Sequence, residues 1–166
     1  MVIYSTKDII QWLGKEPGYL GCFAFNNLPT IVPPIPQDFK LVVNLDSDNL
    51  PGTHWIAIIR IETQIEIFDS YGLIPVSQIQ LWCNKYCTKW SNNTNAIQQL
   101  NTTLCGMYCC LFLTSRPKFR NLNETVKYLA KIIYLATNGI MSYYSENLGI
   151  NEKYYFLTIF RAKPKC

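Results

Sequence analysis

A single histidine, His54, stands in Gly52-Thr53-His54-Trp55, ahead of Phe68-Asp69-Ser70-Tyr71-Gly72 and of Gln98-Gln99-Leu100-Asn101-Thr102-Thr103-Leu104-Cys105-Gly106. These types in this order supply what a thiol nucleophile needs. A base holds it as thiolate, a carboxylate orients the base, and donors face the oxygen that becomes negative in an acyl transfer. Cys105 is the candidate nucleophile and His54 the only side chain able to serve it as a base near neutral pH. Asp69 is the candidate orienter, accepting the imidazole N–H and fixing its tautomer. Gln98 or Gln99, with the Cys105 backbone N–H, would face the oxyanion. Trp55 flanks the imidazole in sequence and is either core packing or a ring that shields or stacks on His54.

The elements around these residues are readable. Ser5 or Thr6 caps a short helix through Ile9, Ile10 and Leu13 that ends near Gly14. Residues 17–37 hold five of the nine prolines and read as an ordered, irregular loop. Three strands follow, Phe39 to Leu45, His54 to Ile61 and Gln64 to Phe68, the last two a hairpin turning at Glu62-Thr63. The runs Leu41-Val42-Val43 and Ile56-Ala57-Ile58-Ile59 are nearly continuous in apolar character, so both faces of the sheet should be covered by helices. This hairpin would bring His54 and Asp69 side by side.

Val76 to Trp90 reads as mostly helical, with a polar loop at Ser91 to Asn95. Leu104 to Leu113 reads as a buried helix with Cys105 in its first turn, where the dipole and free N–H groups favour a thiolate. Gly106 lets another segment approach closely. Asn123 should cap a longer amphipathic helix carrying Val126, Leu129, Ile132, Ile133 and Leu135, and one or two more helices are expected over Ser142 to Phe160. The class is α+β, a central sheet flanked by helices in one domain over residues 1–166.

Composition narrows the setting. With 49% hydrophobic and 16% charged residues, the 166-residue chain is globular and long enough to bury a core. The longest apolar run, Leu104 to Leu113, is about half a membrane span. No signal-peptide pattern opens the sequence, so a soluble protein made in the cytosol is expected, not a secreted one. An odd number of cysteines, seven, fits reduced thiols better than a disulfide framework. A sequon at Asn101 inside the proposed site loop argues against secretion too. The net charge of +4 is uneven: residues 1–115 carry six Lys/Arg against eight Asp/Glu, and residues 116–166 nine against three. The basic C-terminal third is either a solvated surface or a contact for a polyanion such as DNA.

Gly-Thr-His-Trp-Ile-Ala-Ile, Phe-Asp-Ser-Tyr-Gly and Asn-Thr-Thr-Leu-Cys-Gly-Met-Tyr-Cys-Cys-Leu-Phe-Leu resemble the adenovirus endopeptidases, the adenain family. Tyr19-Leu20-Gly21 and Val43-Asn44 look similar to it as well. The resemblance covers roughly residues 18–115, with Cys-Gly-x-x-Cys-Cys its most specific block. It implies a papain-like, adenain-like α+β fold with a central mixed β-sheet. It assigns the triad to His54, Asp69 and Cys105, although the family has Glu where Asp69 stands. Adenain spacing points to Gln98 as oxyanion donor, and the related SUMO-protease spacing to Gln99.

The resemblance further implies a monomeric viral cysteine endopeptidase that cleaves capsid or core precursor proteins during virion maturation. It would act in the host nucleus or cytoplasm, where particles assemble, and in the virion. Small residues, often glycine, are expected near the scissile bond. Family enzymes are activated by a viral peptide through a disulfide and by DNA. Cys87 lies at the matching spacing before Cys105, so it is either the thiol that receives such a peptide or an ordinary helix cysteine.

Two other functions were weighed. Cys83-x3-Cys87 with Cys105-x3-Cys109-Cys110 lacks the tight knuckles of structural zinc, so no metal is expected. A SUMO- or ubiquitin-like deconjugase shares the His, Asp, Gln, Cys order. Those enzymes carry Asp before Cys-Gly, where this chain has Leu104.

Overall fold

The computed structural model describes residues 4–50, 52–100 and 102–137. Helix α1 spans Thr6–Leu13, capped by Ser5 in a reciprocal box with Asp8 and closed at Gly14. Strands β1 (Tyr19–Ala24), β2 (Phe39–Asn44), β3 (Trp55–Ile61) and β4 (Gln64–Phe68) precede α2 (Ser77–Tyr86) and β5 (Lys89–Asn92). Helix α3 (Cys105–Ser115), a 3-10 turn at Arg116–Lys118 and α4 (Leu122–Thr137) follow. The expected helix over Ser142 to Phe160 lies outside the described residues.

The five strands form one mixed sheet in the order β1-β2-β3-β4-β5. The central strand β3 runs antiparallel to both β2 and β4, and the edge strands β1 and β5 run parallel to their neighbours. Alternation along the strands divides the core between two faces. Val42, Trp55, Ala57, Ile59 and Phe68 pack with α1, α3 and α4, where Phe68 stacks on Phe112 with ring centroids 4.6 Å apart. Phe39, Leu41, Val43, Ile56, Ile58, Ile65 and Ile67 pack beneath Ile79, Trp82 and Cys83 of α2. The expectation of a sheet covered on both faces is met.

Three expectations need correction. The loop expected over residues 17–37 contains β1, whose six residues include Gly21 at φ +133° and a register irregularity between Tyr19 and Gly21. Helix α2 stops at Tyr86, and the end of the segment expected to be helical becomes β5. Asn121, not Asn123, caps α4, its side-chain oxygen accepting the Glu124 N–H at 3.0 Å.

Helix α3 is buried along its whole length. Gly106 makes this possible: a Cβ there would lie 2.7 Å from Tyr4 Cβ and 3.2 Å from Ile9 Cδ1, so the bare backbone lets the α1 segment dock. That packing presses α3 against β3 and sets its first residue, Cys105, at one end of the sheet.

Candidate active site

The antiparallel pairing of β3 and β4 puts the start of one beside the end of the other. His54 precedes β3 and Asp69 follows β4, and imidazole Nε2 and Asp69 Oδ1 stand 3.0 Å apart. Asp69 is only 3% exposed and is held from several sides. Its Oδ1 also accepts the Tyr71 N–H at 2.7 Å, and its own N–H donates to Asn93 Oδ1 at 2.8 Å. Asn93 returns a bond from Nδ2 to the Asp69 carbonyl at 2.7 Å, tying the end of β4 to the residue after β5. Gly72 closes the turn at φ +68°, where a Cβ would strike Thr94 and Asn95 backbone atoms at 2.8 Å.

The opposite imidazole nitrogen, Nδ1, is buried and has no hydrogen-bond partner among the described residues. The Cys105 thiol, 6% exposed at the first position of α3, acts electrostatically on the imidazole. Burial is the largest influence on His54 and opposes its charge, but Asp69 and Cys105 together outweigh it and raise its pKa to about 9. The charged imidazolium is therefore the favoured form of His54 near neutral pH. No side chain caps α3, so its first N–H groups and its dipole also face that sulfur. Burial pushes the thiols of Cys109 and Cys110 well above their ordinary range.

Gln98 and Gln99 separate cleanly. Gln99 is exposed and contributes its carbonyl to the Thr102 hydroxyl. Gln98 is 5% exposed; its Nε2 donates to the Thr102 carbonyl at 2.9 Å and to Tyr71 Oη at 3.0 Å, and its Oε1 accepts from the Ser70 hydroxyl at 2.6 Å. Tyr71 Oη in turn donates to the Thr102 carbonyl at 3.1 Å. The Tyr71 phenol, 3.0 Å from Gln98 Nε2, is pushed up chiefly by burial and next by the charge of Cys105.

The ring beside the imidazole is Tyr71, at a centroid distance of 5.0 Å and 32° between planes. Trp55 is 7% exposed and packs in the core with α3. Neighbouring strand residues point to opposite faces, so a tryptophan next to His54 in sequence is poorly placed to lie over it. Sequence reasoning missed Tyr71, Ser70 and Asn93. Two of these sit in the quoted Phe-Asp-Ser-Tyr-Gly motif, where a polar cluster at the end of an apolar strand was the available signal.

Cys87 closes α2 at the far end of β5, half-buried, with Sγ donating to the Cys83 carbonyl at 3.1 Å. Burial is the largest influence on its pKa and raises it. All six cysteines among the described residues are free thiols. No group of three or more His, Cys, Asp or Glu among them could hold a metal ion. No helix among them is long and apolar enough to cross a membrane.

A thiol at a helix N-terminus, an imidazole held by a carboxylate and a fixed carboxamide define a site suited to acyl transfer through sulfur. Residues 19–162 match the adenovirus endoprotease family, and the chain belongs to it. Proteases of Bovine adenovirus C serotype 10 and Bovine adenovirus 2 are 26% and 25% identical over 125 and 141 residues, or 66% and 70% of this chain. That of Frog adenovirus 1 is 25% identical over 127 residues, 67% of the chain. The matches span 63%, 66% and 61% of these relatives, less than two thirds of each. Two crystal structures of an ASFV protease are similar at TM-scores of 0.46 and 0.48, with 24% and 21% identity. They match 54% and 67% of this chain and 38% and 55% of theirs.

Proposed function

We propose that the protein is a viral cysteine endopeptidase that cleaves capsid or core precursor proteins during particle maturation. The observation that carries this reading is the imidazole of His54, held through Nε2 by Asp69, with Nδ1 left without a hydrogen bond among the described residues and Cys105 favouring the charged ring. Membership of the adenovirus endoprotease family supports the same reading.

In this mechanism Cys105 Sγ attacks the scissile carbonyl carbon, and the C=O electron pair moves to oxygen. The oxyanion takes hydrogen bonds from the Cys105 backbone N–H and from Gln98 Nε2, displacing the phenol of Tyr71 from that amide. Such a donor contributes about 10²–10³ in rate. His54 gives its proton to the departing amine as the C–N bond breaks, leaving a thioester. It then takes a proton from the water that attacks the thioester. Collapse of the second tetrahedral adduct releases the new carboxylate and restores the thiolate.

Small residues, often glycine, are the side chains proposed beside the scissile bond. The protein would work as a monomer where particles assemble, in the host nucleus or cytoplasm, and inside the particle. An activating peptide joined to Cys87 would sit where β5 begins, and β5 leads to Asn93, which grips the Asp69 backbone. DNA would be met by the basic C-terminal third, whose Lys118, Arg120, Lys127 and Lys131 are exposed. Arg116 is excluded from that surface because it is buried against Glu66.

The test incubates the full chain with the structural proteins of its own genome, with and without DNA, and maps new termini. Precursors should be cut by the native chain and not by Cys105→Ala. Cleavage of a ubiquitin-like fusion alone, with precursors untouched, would replace this reading with deconjugation.

A further inference from the structure

The two ends of a carboxamide are nearly equal in shape but opposite in chemistry, so an oxyanion donor needs something to decide which end faces the site. Around Gln98 three contacts settle this. The Thr102 carbonyl can only accept, so the amide atom 2.9 Å from it must be Nε2. The oxygen then points to Ser70 Oγ at 2.6 Å, and that hydroxyl must donate. Tyr71 Oη spends its own hydrogen on the Thr102 carbonyl, so toward Gln98 it accepts. Ser70 is fully buried, and its carbonyl also takes the Ile97 and Gln98 N–H groups at 2.9 and 3.0 Å. Both the backbone and the side chain of Ser70 therefore hold the Gln98 segment.

We propose that Ser70 is the positioning residue for the oxyanion donor: its hydroxyl anchors Gln98 Oε1 so that Nε2 is turned toward the reacting carbonyl. The proposal rests on Gln98 acting as that donor. Without the hydroxyl, Oε1 would be buried with no donor, a costly state for a carbonyl. The Thr102 carbonyl still requires Nε2 on its side, so the amide does not invert but loses the bond that holds its other end and swings more freely. Nε2 is then aimed less well at the developing oxyanion, and part of its stabilisation is lost.

The experiment is a double-mutant cycle on the full chain, using Ser70→Ala, Gln98→Ala and the pair, with a cleavable peptide and with iodoacetamide. Ser70→Ala should lower kcat roughly three- to tenfold, the scale of one hydrogen bond. KM should hold, and so should the alkylation rate of Cys105, which requires a thiolate but no oxyanion hole. In the Gln98→Ala background, Ser70→Ala should cost nothing further. Ser70→Cys, nearly isosteric with a weak donor, should fall between serine and alanine, and it carries the cycle if Ser70→Ala does not fold. Equal losses in both backgrounds, a loss shared by alkylation, or no loss at all would each overturn the assignment of Ser70. If Gln98→Ala alone leaves kcat intact, Gln98 is not the donor and both readings fall. A slow Gln98→Ala with an additive Ser70 effect removes only Ser70.

Discussion

The two ends of the central sheet both bury charge, but they treat it differently. At the end where β2 begins and β3 stops, Arg60 is 9% exposed and donates to the carbonyls of Tyr86, Gln37 and Pro36. Lys40 pairs with Glu16 at 3.0 Å, and Arg116 grips Glu66 through Nε and through Nη2, the latter at 2.8 Å. At the other end His54 has one nitrogen committed to Asp69 and the other uncommitted. A cavity of about 760 Å³, lined by Phe39, Ile59, Phe119 and the cations Lys40, Arg60 and Arg116, belongs to the saturated end. Cavity size therefore does not mark the chemistry here. Buried charge whose hydrogen bonds are filled serves architecture. A buried base with an open nitrogen beside a thiol is poised to react.

The sharpest way to break this contrast is to remove the open base. His54→Ala should lower peptide hydrolysis by roughly 10⁴- to 10⁶-fold, the range for deleting one member of a unit that acts together. Its thermal unfolding should stay close to that of the native chain, because the removed ring hydrogen-bonds only Asp69, which keeps the Tyr71 N–H, and otherwise meets the ring of Tyr71. Residual turnover within tenfold of native would place the reactive site elsewhere.

The sequence revealed one end of the molecule better than the other. His54, Asp69 and Cys105 were legible because each stands where a long apolar run begins or ends, and strand alternation with helix burial then fixes their places. Tyr71 was not, because its ring reaches His54 from the turn after β4, across the hairpin and not along one strand. Asn93 and Ser70 act through bonds to segments distant in sequence, which no local pattern encodes. Strands β1 and β5 escaped notice for another reason. Both are edge strands, one interrupted by Gly21 and the other only four residues long, so neither shows the apolar alternation of a central strand. Between Gln98, which adenain spacing favours, and Gln99, the structure adds a difference in burial, Gln98 being buried and Gln99 exposed.

The saturated end supplies the converse prediction. Arg116→Met leaves the Glu66 carboxylate, 12% exposed as a side chain, without its cation. Breaking a buried pair on one side costs about 3–5 kcal/mol. The urea midpoint should fall accordingly, while kcat per folded molecule and the alkylation rate of Cys105 stay native. Helix α3 separates Arg116 from Cys105 by about 16 Å at 1.5 Å per residue, so no hydrogen bond joins the two ends directly. A drop in kcat without a drop in stability would mean that the charge at this end acts on the reaction after all.

The smallest expected effect is also the one that isolates the open nitrogen. In the proposed mechanism His54 acts as an imidazolium that protonates the leaving amine, so kcat/KM should fall as pH rises through about 9, the pKa that Asp69 and Cys105 together impose against burial. Asp69→Asn removes one of the charges that stabilise the protonated ring and leaves burial, which favours the neutral ring, unopposed on that side. The alkaline limb should then move down from about 9 toward the ordinary histidine value of 6.5, never up. A pH profile of peptide cleavage for the two proteins measures the displacement directly. A limb that stays in place would show that the carboxylate fixes the ring without setting its charge, and the thiol alone would then hold the proton on His54.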